Sequence, residues 1–327
     1  MKRVALFDAK PYDKEWFEKL KGNYDIEVVY IDEKLSPATV GMAKGFDGVV
    51  PFVNDDVSAE TIEALIKDGM GVIAMRCAGY NNVDLTSAVG NIKIFRVPAY
   101  SPNAVAEHAM ALLMCMNRNL HKAYDRCTGY NFSLSGLTGF DLVGKTAGVV
   151  GTGKIGQVFI NICKGFGMKV IAHDLYPVDL PDVEYMDVDE LFKKADVISL
   201  HCPQTPETHH LINKNTLSLM KDGVYIINTS RGGLVNAPDL LDALESGKVG
   251  AAGLDVYEYE SGVFFEDRRN DMPDDDVLKR LLANPNVLVT AHQAFLTEEA
   301  LQAIAEVTLG NLSDFFNGKP NNNEVKL

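Results

Sequence analysis

The stretch TAGVVGTGKIGQVF, from Thr146 to Phe159, decides the fold. An apolar run comes first, three glycines follow in the spacing G-x-G-x-x-G, and apolar residues then recur with a helical period. Glycines in this spacing permit a tight turn, let an anion approach the backbone, and let the helix contact the strand. The stretch therefore predicts a strand, a turn and a helix of a parallel α/β unit.

The next predicted strand, MKVIAHD, ends in Asp174. An acidic residue about 20 residues beyond the glycines is the spacing of dinucleotide-binding units. Its carboxylate would accept hydrogen bonds from the adenosine ribose and repel a 2′-phosphate, so NAD is expected as the cofactor rather than NADP. The residues expected to bind it here are Gly151, Thr152, Gly153, Lys154, Ile155, Gly156 and Asp174.

Strand-like and helical segments alternate on both sides of this stretch. RVALFD, IEVVYID, GVVPFV, VIAMRCAG and IKIFRVPA are strand candidates within the first hundred residues, and DKEWFEKLKG and SAETIEALIKDG are helical between them. In the second helical stretch, Ser58 is expected to cap the helix. Such alternation predicts parallel sheets covered by helices. The expected fold is α/β, with two Rossmann-like or flavodoxin-like parallel-sheet domains and a cleft between them.

The domain boundaries follow from the helix signals. Ser101-Pro102 starts a helix near residue 100, and the last helical stretch, TEEALQAIAEVTLGNLSDFF, has no strand after it. This last stretch could therefore pack back on the first domain. We predict a substrate domain of residues 1–100 plus 299–327 and an NAD-binding Rossmann domain of residues 101–298.

Composition limits the classes of partner. The 327 residues carry a formal charge of −14, which argues against a nucleic-acid or anionic-membrane surface. The five cysteines lie far apart, and no apolar segment is long enough to span a bilayer, so the expected location is cytoplasmic. No metal is expected, since no zinc-like spacing occurs. The adjacent His209 and His210 should point in different directions and make a poor metal pair.

Three predicted strands end in residues that suit acid–base chemistry on an anionic substrate. Arg231 follows GVYIINTS, His292 follows NVLVTA, and Asp255, Glu258 and Glu260 follow VGAAGL. The carboxyl edge of a parallel sheet is where ligands bind. An arginine can pair bidentately with a substrate carboxylate, and a histidine beside a carboxylate can supply the proton that reduction of a keto group needs. This set predicts reduction of a 2-keto acid.

The motifs GTGKIGQ, HCPQTPETHHLI, NTSRGGLV, DVYEYE and HQAF resemble those of the D-isomer-specific 2-hydroxyacid dehydrogenase family, and most of all its lactate branch. The resemblance covers nearly the whole chain. It implies NADH-dependent reduction of pyruvate, with Arg231, Glu260 and His292 as catalytic residues and Glu258 as a structural one.

The resemblance also implies contacts outside this trio. Asp255 would contact the nicotinamide amide, and further cofactor contacts are expected at Cys202, Pro203, Thr229 and Ser230. The substrate would meet Ala78, Gly79, Tyr100 and Phe295 besides Arg231 and His292, with the cleft closing on it. A homodimer built around the helix after residue 100 is implied as well.

Two alternatives stay open. The substrate could be a larger, branched or aromatic, 2-keto acid, because sequence does not measure the volume of a pocket. The same fold can also serve as an NAD(H)-sensing, corepressor-like binding protein. Turnover of NADH with pyruvate and with a panel of keto acids distinguishes these possibilities.

Overall fold

The structure is a computed structural model, and it describes residues 1–326. The chain divides into two compact units, Met1–Ser101 with Leu296–Leu327, and Pro102–Phe295. No helix within residues 1–326 is both long enough and apolar enough to cross a bilayer.

The first unit is built on a parallel sheet of five strands. Its strands are β1 (Lys2–Leu6), β2 (Ile26–Tyr30), β3 (Gly48–Val50), β4 (Val72–Ala74) and β5 (Lys93–Phe95). Its helices are α1 (Pro11–Leu20), α2 (Ala59–Lys67), α3 (Leu85–Ala88) and, after the second unit, α11 (Glu298–Phe316). The strand order β2-β1-β3-β4-β5 is that of flavodoxin-like sheets. Apolar residues of α11 pack into the core of this sheet.

The second unit contains seven strands and the remaining helices. The strands are β6 (Thr146–Val150), β7 (Lys169–His173), β8 (Val183–Tyr185), β9 (Val197–Leu200), β10 (Val224–Asn228), β11 (Val249–Leu254) and β12 (Val287–Val289). The helices are α4 (Pro102–Asn117), α5 (Leu120–Thr128), α6 (Lys154–Gly165), α7 (Val188–Lys194), α8 (Lys214–Leu219), α9 (Ala237–Glu245) and α10 (Asp276–Ala283).

The strand order of the second sheet shows at which strands a ligand is expected to bind. All neighbours are parallel in the order β12-β11-β10-β9-β6-β7-β8, so the chain runs from β6 outward in one direction and returns at β9 to run in the other. The crevice at the carboxyl ends of two such strands is where open α/β sheets bind ligands. The glycine loop follows β6 at this point. The expected α/β class with two parallel-sheet units is confirmed.

Two local expectations need correction or detail. Ser58 occupies the residue before α2, but its side chain makes no capping hydrogen bond, so the expected side-chain cap is wrong. The helical segment after Pro102 is also interrupted. Asn119, the residue before α5, has a left-handed backbone with φ 50°, so the segment divides into the two helices α4 and α5.

Candidate active site

The glycine loop has the close contacts that its spacing predicts. Gly151 has φ +95°, and a Cβ there would lie 2.6 Å from the backbone of His201 and Cys202. A Cβ on Gly156 would lie 2.0 Å from the carbonyl oxygen of Gly151, whereas a Cβ on Gly153 would meet nothing within 4 Å. The loop is therefore packed against backbone at Gly151 and Gly156, whereas at Gly153, next to the N-terminus of α6, it leaves open space. This arrangement fits the pyrophosphate of a dinucleotide.

Asp174 is tied to this loop. Its Oδ2 accepts hydrogen bonds from the N–H of Thr152 at 2.5 Å and from the Thr152 hydroxyl at 3.0 Å, and its Oδ1 accepts from the N–H of Tyr176 at 2.8 Å. Burial opposes ionisation, but these hydrogen bonds outweigh it and hold the pKa of the carboxyl below its usual value. The residue is therefore negatively charged at neutral pH beside the glycine loop.

The turn that carries Arg231 is fixed by Asn228, the last residue of β10. The buried Asn228 side chain accepts from the N–H of Ser230 at 3.0 Å and donates to the carbonyl of Arg231 at 2.8 Å. A Cβ on Gly232 would lie 2.1 Å from the backbone of Tyr257, so the turn rests on the loop after β11. The half-buried guanidinium of Arg231 donates to the carbonyl of Ser230 at 2.7 Å.

His292 and Glu260 are brought together at the same edge. Nδ1 of His292 lies 2.7 Å from Oε1 of Glu260, and Oε2 of Glu260 accepts from the N–H of Tyr257 at 3.0 Å. His292 has a left-handed backbone with φ 53°, a conformation that costs free energy for a residue other than glycine. The strands β10, β11 and β12, which precede Arg231, Glu260 and His292, are neighbours in the sheet.

Asp255 holds the His292 turn from behind. This fully buried carboxylate accepts from the N–H groups of Gln293 and Ala294, both at 2.9 Å, and from the hydroxyl of Thr290 at 2.5 Å. Burial would raise the pKa of Asp255, but hydrogen bonds from His108, Thr290 and Ala294 outweigh it and lower that pKa. The turn is thus built around a buried negative charge, and the contact of Asp255 with the nicotinamide stays a prediction.

His108 completes this network and was not foreseen from sequence. Its Nε2 lies 3.1 Å from the hydroxyl of Thr290 and 3.4 Å from Oδ1 of Asp255. Helix α4 supplies His108, and Thr290 follows β12, so 182 positions separate the two along the chain. No local pattern signals a contact over such a separation.

The expectation that His209 and His210 point in different directions is wrong. Their rings stack with centroids 3.8 Å apart, because both residues lie in a turn, where His210 has φ 51° and the alternation of a regular strand does not apply. Nε2 of His210 lies 2.5 Å from Oε1 of Glu258, and Nδ1 faces the side-chain amide of Asn236 at 3.3 Å. Glu258 therefore contacts a different histidine from Glu260.

The other expected cofactor residues surround the crevice at β9 and β10. Cys202 is buried, and its carbonyl accepts from the hydroxyl of Ser230 at 2.6 Å, while Pro203 is exposed. Thr229 is buried, and its hydroxyl has no hydrogen-bond partner in residues 1–326. A buried unpaired hydroxyl is costly, so it is suited to a polar group of a bound molecule.

The expected substrate residues lie in both units. Ala78 and Gly79 form a half-buried loop after β4, and Tyr100 is half-buried near the end of the first segment of that unit. Phe295 is buried and is the last residue of the second unit.

Comparison with known proteins places this architecture in a family. A family profile described as D-isomer specific 2-hydroxyacid dehydrogenase, NAD binding domain, matches residues 110–294. The D-lactate dehydrogenase of Escherichia coli (strain K12) is 49% identical over 328 residues, which is 99% of each chain. The chain belongs to the D-isomer specific 2-hydroxyacid dehydrogenase family, and its second unit carries the NAD-binding domain.

Two solved structures are similar over the full length. A pyruvate reductase of Chlamydomonas reinhardtii has a TM-score of 0.91 and 43% identity, covering 99% of this chain and 98% of that one. A D-2-hydroxyisocaproate dehydrogenase has a TM-score of 0.88 and 34% identity, covering 99% of each chain.

Proposed function

We propose that this protein is an NAD-dependent D-lactate dehydrogenase that reduces pyruvate to D-lactate. The observation that carries the proposal is the pair of His292 and Glu260, held at 2.7 Å beside the Arg231 turn on the ligand edge of the NAD-binding unit. The relatives named D-lactate dehydrogenase and pyruvate reductase support the choice of substrate.

In this proposal the chain's own residues orient the substrate and move a proton. Bound NADH supplies the hydride that reduces the keto carbon. Arg231 pairs with the substrate carboxylate, and protonated His292 donates from Nε2 to the keto oxygen as negative charge develops there. Glu260 holds the ring through Nδ1 in the orientation that this transfer needs. In the reverse direction neutral His292 accepts the proton of the hydroxyl.

Cofactor residues follow from the same geometry. The pyrophosphate would be bound at the N–H groups of the glycine loop, and the adenosine ribose at Asp174. Thr229, Ser230, Cys202 and Pro203 would contact the nicotinamide half, and Asp255 would stay behind it as the charge that shapes the His292 turn.

The decisive experiment is NADH oxidation by the purified protein with pyruvate and with branched and aromatic 2-keto acids, followed by chiral analysis of the product. D-lactate from pyruvate, at the highest kcat/KM of the panel, is the expected result. A preference for 2-ketoisocaproate would favour the larger substrates indicated by the D-2-hydroxyisocaproate dehydrogenase relative. L-lactate as the main product would overturn the proposal, and absence of turnover would favour the NAD(H)-sensing alternative.

We also propose that the protein is a homodimer. Large apolar side chains on α5 and the segment that follows it are exposed, with Tyr124 75%, Tyr130 86%, Phe132 71% and Leu134 81% accessible. Several exposed large apolar side chains so close together in the chain are typical of a surface that another chain covers. Light scattering should give twice the chain mass of 35.8 kDa, and Tyr130→Ser with Phe132→Ser should lower it towards the mass of one chain.

A cytoplasmic location is proposed from the thiols. Cys115, Cys127, Cys163 and Cys202 are free cysteines. Free thiols persist where glutathione and thioredoxin keep the compartment reducing. Fractionation of cells that produce the protein should place it with cytoplasmic markers.

A further inference from the structure

The loop after β4 presents two unused backbone donors. Neither the N–H of Ala78 nor the N–H of Gly79 donates a hydrogen bond to any acceptor in residues 1–326, although both residues are half-buried. Adjacent free N–H groups form a site for an anion. The family resemblance implies that the substrate meets Ala78 and Gly79, and in the proposed function these two N–H groups would hold its carboxylate together with Arg231.

The carbonyls of the same two peptide groups are both hydrogen-bonded. The carbonyl of Cys77, which shares a peptide group with the N–H of Ala78, accepts from the N–H of Val97 at 3.0 Å. The carbonyl of Ala78, which shares a peptide group with the N–H of Gly79, accepts from Nη1 of Arg96 at 3.1 Å. A hydrogen bond to a carbonyl polarises its peptide group and makes the attached N–H a stronger donor, so hydrogen bonds in a chain strengthen one another.

Arg96 is held in this position by several independent contacts. Its guanidinium lies over the ring of Tyr80, 5.2 Å from the ring centroid. Its backbone N–H donates to the carbonyl of Asn323 at 3.1 Å, and its carbonyl accepts from the side chain of Asn311 at 3.0 Å. The cation is therefore fixed on the far side of the Ala78–Gly79 peptide from its N–H group.

We propose that Arg96 is a positioning residue that strengthens substrate binding through the Ala78–Gly79 peptide without touching the substrate. Its charge polarises that peptide group and stabilises a carboxylate bound to the Gly79 N–H. The hydrogen bond from Arg96 to the Ala78 carbonyl has a charged donor, and such bonds are about twice as strong as neutral ones. The Gly79 N–H should therefore bind the carboxylate more strongly than an N–H whose carbonyl has a neutral partner. The inference rests on the proposed function, since it concerns the carboxylate of that substrate.

The test compares the wild type with Arg96→Met and Arg96→Lys. Arg96→Met removes the charge while keeping an apolar side chain against Tyr80. KM for pyruvate and the dissociation constant of oxamate, a carboxylate analogue of pyruvate, should each rise about tenfold. The value of kcat should change less than threefold, and NADH affinity should stay the same. Arg96→Lys should fall between the wild type and Arg96→Met, because it keeps the charge and loses the planar fork.

A matched control is Arg3→Met in the same unit. Arg3 is an exposed arginine that pairs with Glu27 at 3.0 Å and lies 4.9 Å from the centroid of the Phe46 ring. Replacing it removes the same type of side chain from a place far from the loop after β4 in sequence, and should leave KM and oxamate binding unchanged. An equal change in Arg3→Met would overturn the inference.

Two further results would also overturn it: an unchanged KM in Arg96→Met, or a fall in kcat with KM unchanged. If Arg96→Met does not fold, Arg96→Lys is compared with the wild type in the same way. KM for pyruvate should then rise at least twofold, and an unchanged KM would overturn the inference. Failure of the proposed function would appear in the wild type, as absent pyruvate turnover. Failure of the Arg96 inference appears only as the difference between wild type and variant, and can be measured with whichever 2-keto acid the wild type reduces.

Discussion

Nδ1 of His292 and Oε1 of Glu260 are 2.7 Å apart, while Nε2 of the same ring has no hydrogen-bond partner in the described chain. The carboxylate thus occupies one ring nitrogen and leaves the other for proton exchange. The second oxygen of Glu260 accepts the N–H of Tyr257 at 3.0 Å, which fixes the carboxylate in its own loop. The contact at Nδ1 therefore orients the ring, with Nε2 left for the substrate.

Glu260→Gln should lower kcat/KM for pyruvate reduction by at least about tenfold, or about 1.4 kcal/mol, because the ring of His292 loses the carboxylate that holds Nδ1. NADH affinity should hardly change. The control is Glu258→Gln, since Glu258 contacts His210 instead, and it should leave kcat/KM as it is. An unchanged kcat/KM in Glu260→Gln, or an equal loss in both variants, would contradict the pairing.

Arg231→Lys should lower kcat/KM for pyruvate by at least about tenfold, or about 1.4 kcal/mol, because lysine keeps the charge but loses the planar pair of donors. NADH affinity should hardly change. Arg280→Lys is the matched control, since Arg280 is an exposed arginine of α10 that pairs with Glu245 at 2.6 Å. A large loss of NADH binding with normal turnover would instead assign Arg231 to the cofactor.

Asp174→Ala should narrow the preference for NADH over NADPH. The wild-type carboxylate is ionised at neutral pH and would face a 2′-phosphate. The ratio of kcat/KM values for the two cofactors is the measurement, since NADH affinity itself should also fall when Thr152 loses its acceptor. Asp179→Ala, an exposed aspartate of the same segment, should leave the ratio as it is. A wild type that already prefers NADPH would refute the assignment.

His201 should make the folded state less stable in acid. Burial lowers the pKa of this ring to about 3, whereas the unfolded chain takes up a proton below its ordinary value of about 6.5. The free energy of unfolding therefore falls as pH drops below about 6.5, by about 1.4 kcal/mol from this group at pH 5.5.

His201→Gln removes this titration and keeps a polar group near the position of Nε2, which lies 2.9 Å from the hydroxyl of Ser199. Urea unfolding at pH 7.5 and 5.5 should show a smaller acid loss of stability in His201→Gln than in the wild type. His209→Gln, at an exposed position, serves as the control. Equal losses in His201→Gln and the wild type would show that the His201 ring is not responsible.

The strand-end residues were predictable because parallel strands bring their carboxyl ends to one edge. The apolar runs before Arg231 and His292 were enough to place both residues there. Strand lengths were less predictable. In the run VIAMRCAG only Val72–Ala74 is a strand. Met75 and Cys77 are buried as well but lie in the loop that follows, so the apolar pattern extends beyond the end of the strand.

Contacts across long separations and unusual backbone angles could not be read from the sequence. His108 meets Asp255 only through the packing of α4, and the ring stacking of His209 on His210 depends on a positive φ at His210. The break at Asn119 is of the same kind. Asn is one of the few residues that tolerate such an angle, but many asparagines do not adopt it.

A Cβ added to Gly232 would lie 2.1 Å from the backbone of Tyr257, so the loop after β10 and the loop after β11 pack backbone against backbone at this point. In recombination between relatives of this protein, the two loops therefore behave as one unit. A chimera that takes the NTSRGGLV turn from one parent and the DVYEYE loop from another risks a main-chain collision that no side-chain repacking relieves. Libraries aimed at new substrates should therefore exchange the two loops together.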